Sequence, residues 1–104
     1  MDLQSLSVLR KYIKVVDHKA GTIKLKVALS ALSDPTVKQI MAQFKNNELP
    51  KAILGTQINI FTQTLTLKYN TSIIDQKEFE EILTTQDNDK FLSLAEKYHS
   101  ILTA

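Results

Sequence analysis

Asp17 and His18, shortly before Gly21, are the pair in this chain best suited to chemistry. A neutral imidazole ligates metals or haem, and a neighbouring carboxylate can fix its tautomer. A tight site needs three or four ligands, however. The second histidine, His99, follows Tyr98 far along the chain, and joins His18 only if the last helix crosses this turn. The competing reading of His18 is an exposed histidine in a turn. There is no cysteine, which excludes disulfides, thiolate nucleophiles, iron–sulfur ligation and cysteine-based zinc or copper sites. Asp17, His18 and His99 are therefore weak metal candidates, and no cofactor is called for.

Lysines form the second candidate set. Lys24 and Lys26, with Lys68 and Lys14 on neighbouring strands, could build a basic patch on a bare sheet face. Single-stranded nucleic-acid binders stack bases on aromatic side chains at such positions. The outward residues here are Lys, Thr, Gln and Asn, so only weak, salt-sensitive binding is expected and nucleic acid is a disfavoured partner. Catalysis has less support still. No G-x-S-x-G, P-loop or H-E-x-x-H pattern occurs, and Glu78, Glu80 and Glu81 read as a solvated helix face. The expectation is a protein that is not an enzyme.

Net charge is +2 over 104 residues, but it is unevenly spread. Residues 1–26 carry Arg10, Lys11, Lys14, Lys19, Lys24 and Lys26 against two aspartates, whereas residues 70–104 carry seven carboxylates against three lysines. Opposite charges of this kind screen each other within a monomer or across a dimer. The length suits one domain, residues 1–104, with a core at 13–84, an N-terminal helix at 3–12 and a C-terminal helix at 89–103. The start Met1-Asp2-Leu3-Gln4-Ser5 has no basic signal-type region, and no apolar run approaches the roughly 20 residues that span a bilayer. A cytoplasmic location is expected.

The elements that must position these residues follow from periodicity. Apolar and polar side chains alternate in Thr22–Val27, in Gln57–Ile60 and in Thr64–Tyr69, the mark of strands buried on one face. Ile58, Ile60, Leu65, Leu67 and Tyr69 should then face inward. Residues 13–17 could fold back on the first of these strands around Gly21. Asp34-Pro35 is a strong helix start, followed by Val37, Ile40, Met41 and Phe44 on one face. Asp75 opens a second helix with Phe79, Ile82 and Leu83, and Asp87 or Asn88 a third with Phe91, Leu94, Ala95, Tyr98, Ile101 and Leu102. Asp2 is the expected cap of the first helix, whose apolar face is Leu6, Leu9 and Ile13.

Strand, helix, strand, strand, helix is the order of an α+β, ferredoxin-like split βαβ sandwich, with two helices on one face of an antiparallel sheet. Its usual closing strand is missing, and residues 13–17 could fill that slot. From Thr22 to about Leu83 the chain resembles the heavy-metal-associated domain. The matching pieces are the strand Thr22–Val27, the helix Val37–Phe44, the stretch Ile53–Asn59 and the strand ending Lys68-Tyr69-Asn70. That resemblance implies the fold and not the metal chemistry. The family's cysteine pair would lie where this chain reads Leu29-Ser30-Ala31-Leu32-Ser33-Asp34, and serine and aspartate do not replace two thiolates for monovalent copper.

The terminal helices carry more apolar surface than a two-helix, one-sheet core requires, and such a stripe should not stay bare. They pack on the domain edge, or they complete a homodimer or receive a partner. The leading functional expectation is a small binding or assembly module acting through protein–protein contact, with Phe91, Leu94 and Tyr98 on the terminal helix and Lys24, Lys26 and Lys68 on the sheet as contact residues. The alternative is a metal- or haem-binding accessory protein that uses His18, with or without His99.

Overall fold

The computed structural model describes residues 3–46 and 48–102, with backbone only at 3, 4, 101 and 102. The expected cap Asp2, the apolar side chains of Ile101 and Leu102, and the end of the last helix at Thr103 lie outside the described residues. Chain order is α1 (Leu3–Leu9), β1 (Ile13–Lys19), β2 (Thr22–Val27), a 3-10 segment (Leu29–Ser33), α2 (Pro35–Lys45), β3 (Ile53–Asn59), β4 (Thr64–Tyr69), α3 (Gln76–Thr84), α4 (Asn88–Lys97) and α5 (His99–Leu102). The strands form one four-stranded antiparallel sheet in the order β1-β2-β4-β3. The protein is thus α+β. Strands β2 and β3, which α2 connects, lie on either side of β4 and run parallel to each other.

The return strand expected from residues 13–17 is present and longer, because β1 pairs with β2 from Ile13↔Val27 to Lys19↔Thr22. Gly21 turns the hairpin at φ 83°, a left-handed conformation that a side chain disfavours. Three helix starts are set by aspartates. Asp34 accepts from the Thr36 N–H at 2.9 Å with Pro35 behind it, Asp75 from the Glu78 N–H at 3.0 Å, and Asp87 from the Asp89 and Lys90 N–H groups. Each satisfies donors that the first helical turn would leave bare.

Ile23, Leu25 and Val27 of β2 and Leu65, Leu67 and Tyr69 of β4 are buried together with Val37, Ile40 and Phe44 of α2 and Phe79, Ile82 and Leu83 of α3. Both helices therefore cover the same side of the sheet. Leu6 and Leu9 of α1 and Phe91, Leu94 and Ala95 of α4 join that core, with α1 against α2 and α4 against α3. The N-terminal helix ends at Leu9, short of the expected residue 12, and the C-terminal helix breaks at Tyr98 before α5.

Ile60 corrects the expected pattern of the central hairpin. Strand β3 stops at Asn59, whose Oδ1 accepts from the N–H groups of Phe61 at 3.0 Å and Thr62 at 3.2 Å. That side-chain turn ends the alternation one residue early, so Ile60 leaves the inward face and stands 71% exposed. Gln63 closes the turn at φ 56°.

Candidate functional site

Strand β1 decides what His18 can do. Its pairing with β2 slips between Val15 and Asp17, and a bulge of this kind re-aims every residue after it. Asp17 is consequently opposite Lys24 on the outer face, while His18 is opposite Ile23 and turns inward. The imidazole is 6% exposed, with Nε2 2.6 Å from the Tyr69 hydroxyl and Nδ1 3.4 Å from Glu80 Oε1. Tyr69 and Glu80 thus partner both ring nitrogens. Burial holds the Tyr69 hydroxyl above its ordinary pKa of 10.0.

The expected exposed turn histidine is therefore corrected to a strand histidine between β4 and α3. Asp17 cannot orient its ring, because neighbours in a strand past the bulge point to opposite faces. His99 stands exposed on α5. Among the described residues no group of three or more His, Asp or Glu side chains could hold a metal ion.

Phe91, Leu94 and Tyr98 are also corrected as contact residues. All three are buried within the chain, and the Arg10 guanidinium lies 4.1 Å from the centre of the Phe91 ring. Glu78 ties α4 to α3 by accepting from Lys97 Nζ at 2.8 Å and from the Tyr98 hydroxyl at 2.6 Å. Hydrogen bonding to Lys97, then to Tyr98, holds the Glu78 carboxyl below its ordinary 4.5. Lys24, Lys26 and Lys68 stand exposed on the outer sheet face, as expected. Lys14 and Lys19 join them through the register, Lys14 opposite Lys26 and Lys19 opposite Thr22.

The apolar surface left open lies elsewhere. Leu29 and Leu32 of the 3-10 segment, Met41 and Lys45 of α2, and Ile58 and Ile60 surround a cavity of about 140 Å³. A shallower groove continues from Leu32, Met41 and Lys45 along α2 past Lys38. Leu29 is 62% exposed, Leu32 51% and Phe61, next to Ile60 at the hairpin tip, 99%. Among the described residues, those lining both hollows include two lysines and no carboxylate.

Local chemistry holds this mouth in place. The Tyr12 hydroxyl donates to Asp34 Oδ2 at 3.0 Å and the Ala28 N–H to the Tyr12 carbonyl at 2.8 Å, which tie the ends of the 3-10 segment to the start of β1. The hydrogen bond from Tyr12 is the main reason the Asp34 carboxyl lies below its ordinary 3.8. The Val27 N–H donates to the Gln63 carbonyl at 2.8 Å and draws the β3–β4 turn alongside. The sequence places Met41, Ile58 and Ile60 on inward faces and marks no groove. The available signal was Ile60-Phe61, an apolar pair directly after an asparagine suited to ending a strand.

Compared with protein-family models, with curated proteins and with solved structures, the chain has no match.

Proposed function

We propose that this protein is a non-catalytic binding module of ferredoxin-like architecture that receives an apolar segment of a protein partner in the groove between the 3-10 segment, α2 and the β3–β4 turn. The observation that carries the reading is the cavity of about 140 Å³ bordered by Leu29, Leu32 and Ile60, all of them more than half exposed. A hairpin tip normally takes glycine, asparagine or aspartate. Here it presents isoleucine and phenylalanine, and contiguous apolar surface of this kind marks an interaction site.

The strand order and the shared side of α2 and α3 support the ferredoxin-like reading, as does the likeness of Thr22–Leu83 to the heavy-metal-associated domain. In that reading the apolar 3-10 segment takes the place of the family's metal-binding loop, and contact replaces ligation. Burying two or three side chains contributes about 3–9 kcal/mol before the cost of association is subtracted, which makes for weak, transient binding by the groove alone.

The test is selection from a displayed random-peptide library, followed by calorimetry with the synthetic peptides. Wild type should select peptides with apolar anchors and acidic neighbours, and Ile60→Lys should weaken them at least tenfold while melting at the wild-type temperature. Failure to select any peptide, or equal binding by a folded Ile60→Lys variant, contradicts the proposal.

A further inference from the structure

The groove meets the Ile58–Asn59 end of β3, a strand that pairs with β4 on one side only and so has a free edge. Along an edge strand every second N–H and C=O points outward without a partner, and soluble proteins blunt such edges with charge, proline, bulges or a covering element. Ile53–Asn59 contains no charged residue and no proline. Its one irregularity falls between Ile53 and Gly55 and throws Leu54 outward, 64% exposed. From Gly55↔Lys68 to Asn59↔Thr64 the register is unbroken.

The two sides of this edge differ in a way that specifies an occupant. On the helix side lies the apolar cavity with Met41, Ile58 and Ile60. On the outer side is a shallow hollow lined by Gly55, Thr56, Gln57, Thr66 and Lys68, where a Cβ placed on Gly55 would meet no atom within 4 Å. A strand added to β3 sends alternate side chains to these two sides. One set passes Thr56 and then meets the hydrocarbon around Ile58. The other meets the Lys68 ammonium and neutral polar groups.

We propose that the partner binds as an added β-strand along Gly55–Asn59, in an extended segment that alternates apolar residues, facing the cavity, with acidic ones, facing Lys68. This rests on the protein-partner reading above and deepens it by assigning the mode of recognition and the partner's pattern. Charge favours a foreign acidic segment over a second copy of this chain. Pairing two β3 edges would set two basic rims together with no carboxylate among the described lining residues to offset them.

The experiment uses the full chain and the tightest peptide from the library. Selected sequences should show apolar residues at period two, outward amides within Gly55–Asn59 should exchange at least tenfold more slowly on saturation, and amides of β1 should not change. Removing alternate peptide N–H groups by N-methylation should weaken binding tenfold or more, and Lys68→Glu severalfold. Binding that Ile60→Lys abolishes, yet that leaves β3 exchange unchanged and tolerates N-methylation, overturns strand addition while the groove reading stands. Absence of any binding peptide overturns both. A concentration-dependent dimer by sedimentation, with β3 amides protected before any peptide is added, overturns the foreign partner in favour of a second copy.

Discussion

The two edges of the sheet are built differently. Strand β1 carries Lys14, Asp17, His18 and Lys19, has a bulge at its middle, packs against α3 and is held by the His18–Tyr69 hydrogen bond. Strand β3 carries no charge, runs regularly from Gly55 to Asn59 and borders an apolar cavity. The devices that discourage strand pairing are concentrated on β1, whereas β3 has only the bulge at its start, before Gly55. Under the proposed strand addition, the open second edge is a place kept for a partner.

Removing the β4 ring that anchors the closed β1 edge should cost most. Tyr69→Ala removes a buried ring in edge contact with Phe79 at 4.7 Å and deprives His18 of its hydroxyl. A loss of about 3–5 kcal/mol is expected from urea unfolding. Ile60→Ala on the open side should stay within about 0.5 kcal/mol of wild type by the same measurement. If the two losses were similar, the contrast between edges would be false.

Tyr69→Phe keeps the packing and removes only the hydroxyl. It should cost about 1–2 kcal/mol in urea unfolding, because His18 Nε2 is left without its partner. A neutral outcome would mean that packing, not the hydrogen bond, holds the histidine.

The link between α3 and α4 behind the β1 edge should show in the acid limb of stability. Glu78 titrates below its ordinary 4.5 in the folded chain. Its contribution is therefore complete above that value and is lost as pH falls through the lowered folded pKa. Glu78→Gln should flatten this acid loss in thermal melts taken from about pH 5 downward, and an unchanged slope would contradict the role. The smallest effect is expected for Gln57→Lys, which adds an edge charge to β3. Its stability should remain within about 0.5 kcal/mol of wild type in thermal melts.

What the sequence makes legible is what local chemistry decides. The alternation of Thr22–Val27 and Thr64–Tyr69, and the aspartates at 34, 75 and 87, depend on near neighbours, and each predicted element is present. His18 was misread because its direction depends on a bulge created by pairing with β2. Ile60 was misplaced because the side chain of Asn59 ends the strand before the apolar pattern does. Phe91, Leu94 and Tyr98 looked available because an amphipathic stripe does not encode what covers it, and here α3, Arg10 and the core do so. The groove was invisible for a related reason. Its walls come from three separate segments, none unusual alone. No helix among the described residues is long and apolar enough to cross a membrane.

The most direct test of the open edge is a nitrogen–proton NMR titration of the full chain with a library-selected peptide. The account predicts that the largest shifts fall in Leu29–Leu32, around Met41 and from Gly55 to Gln63, with Ile13–Lys19 and Asn88–Lys97 unmoved. Largest shifts along β1 or on α4 would contradict it.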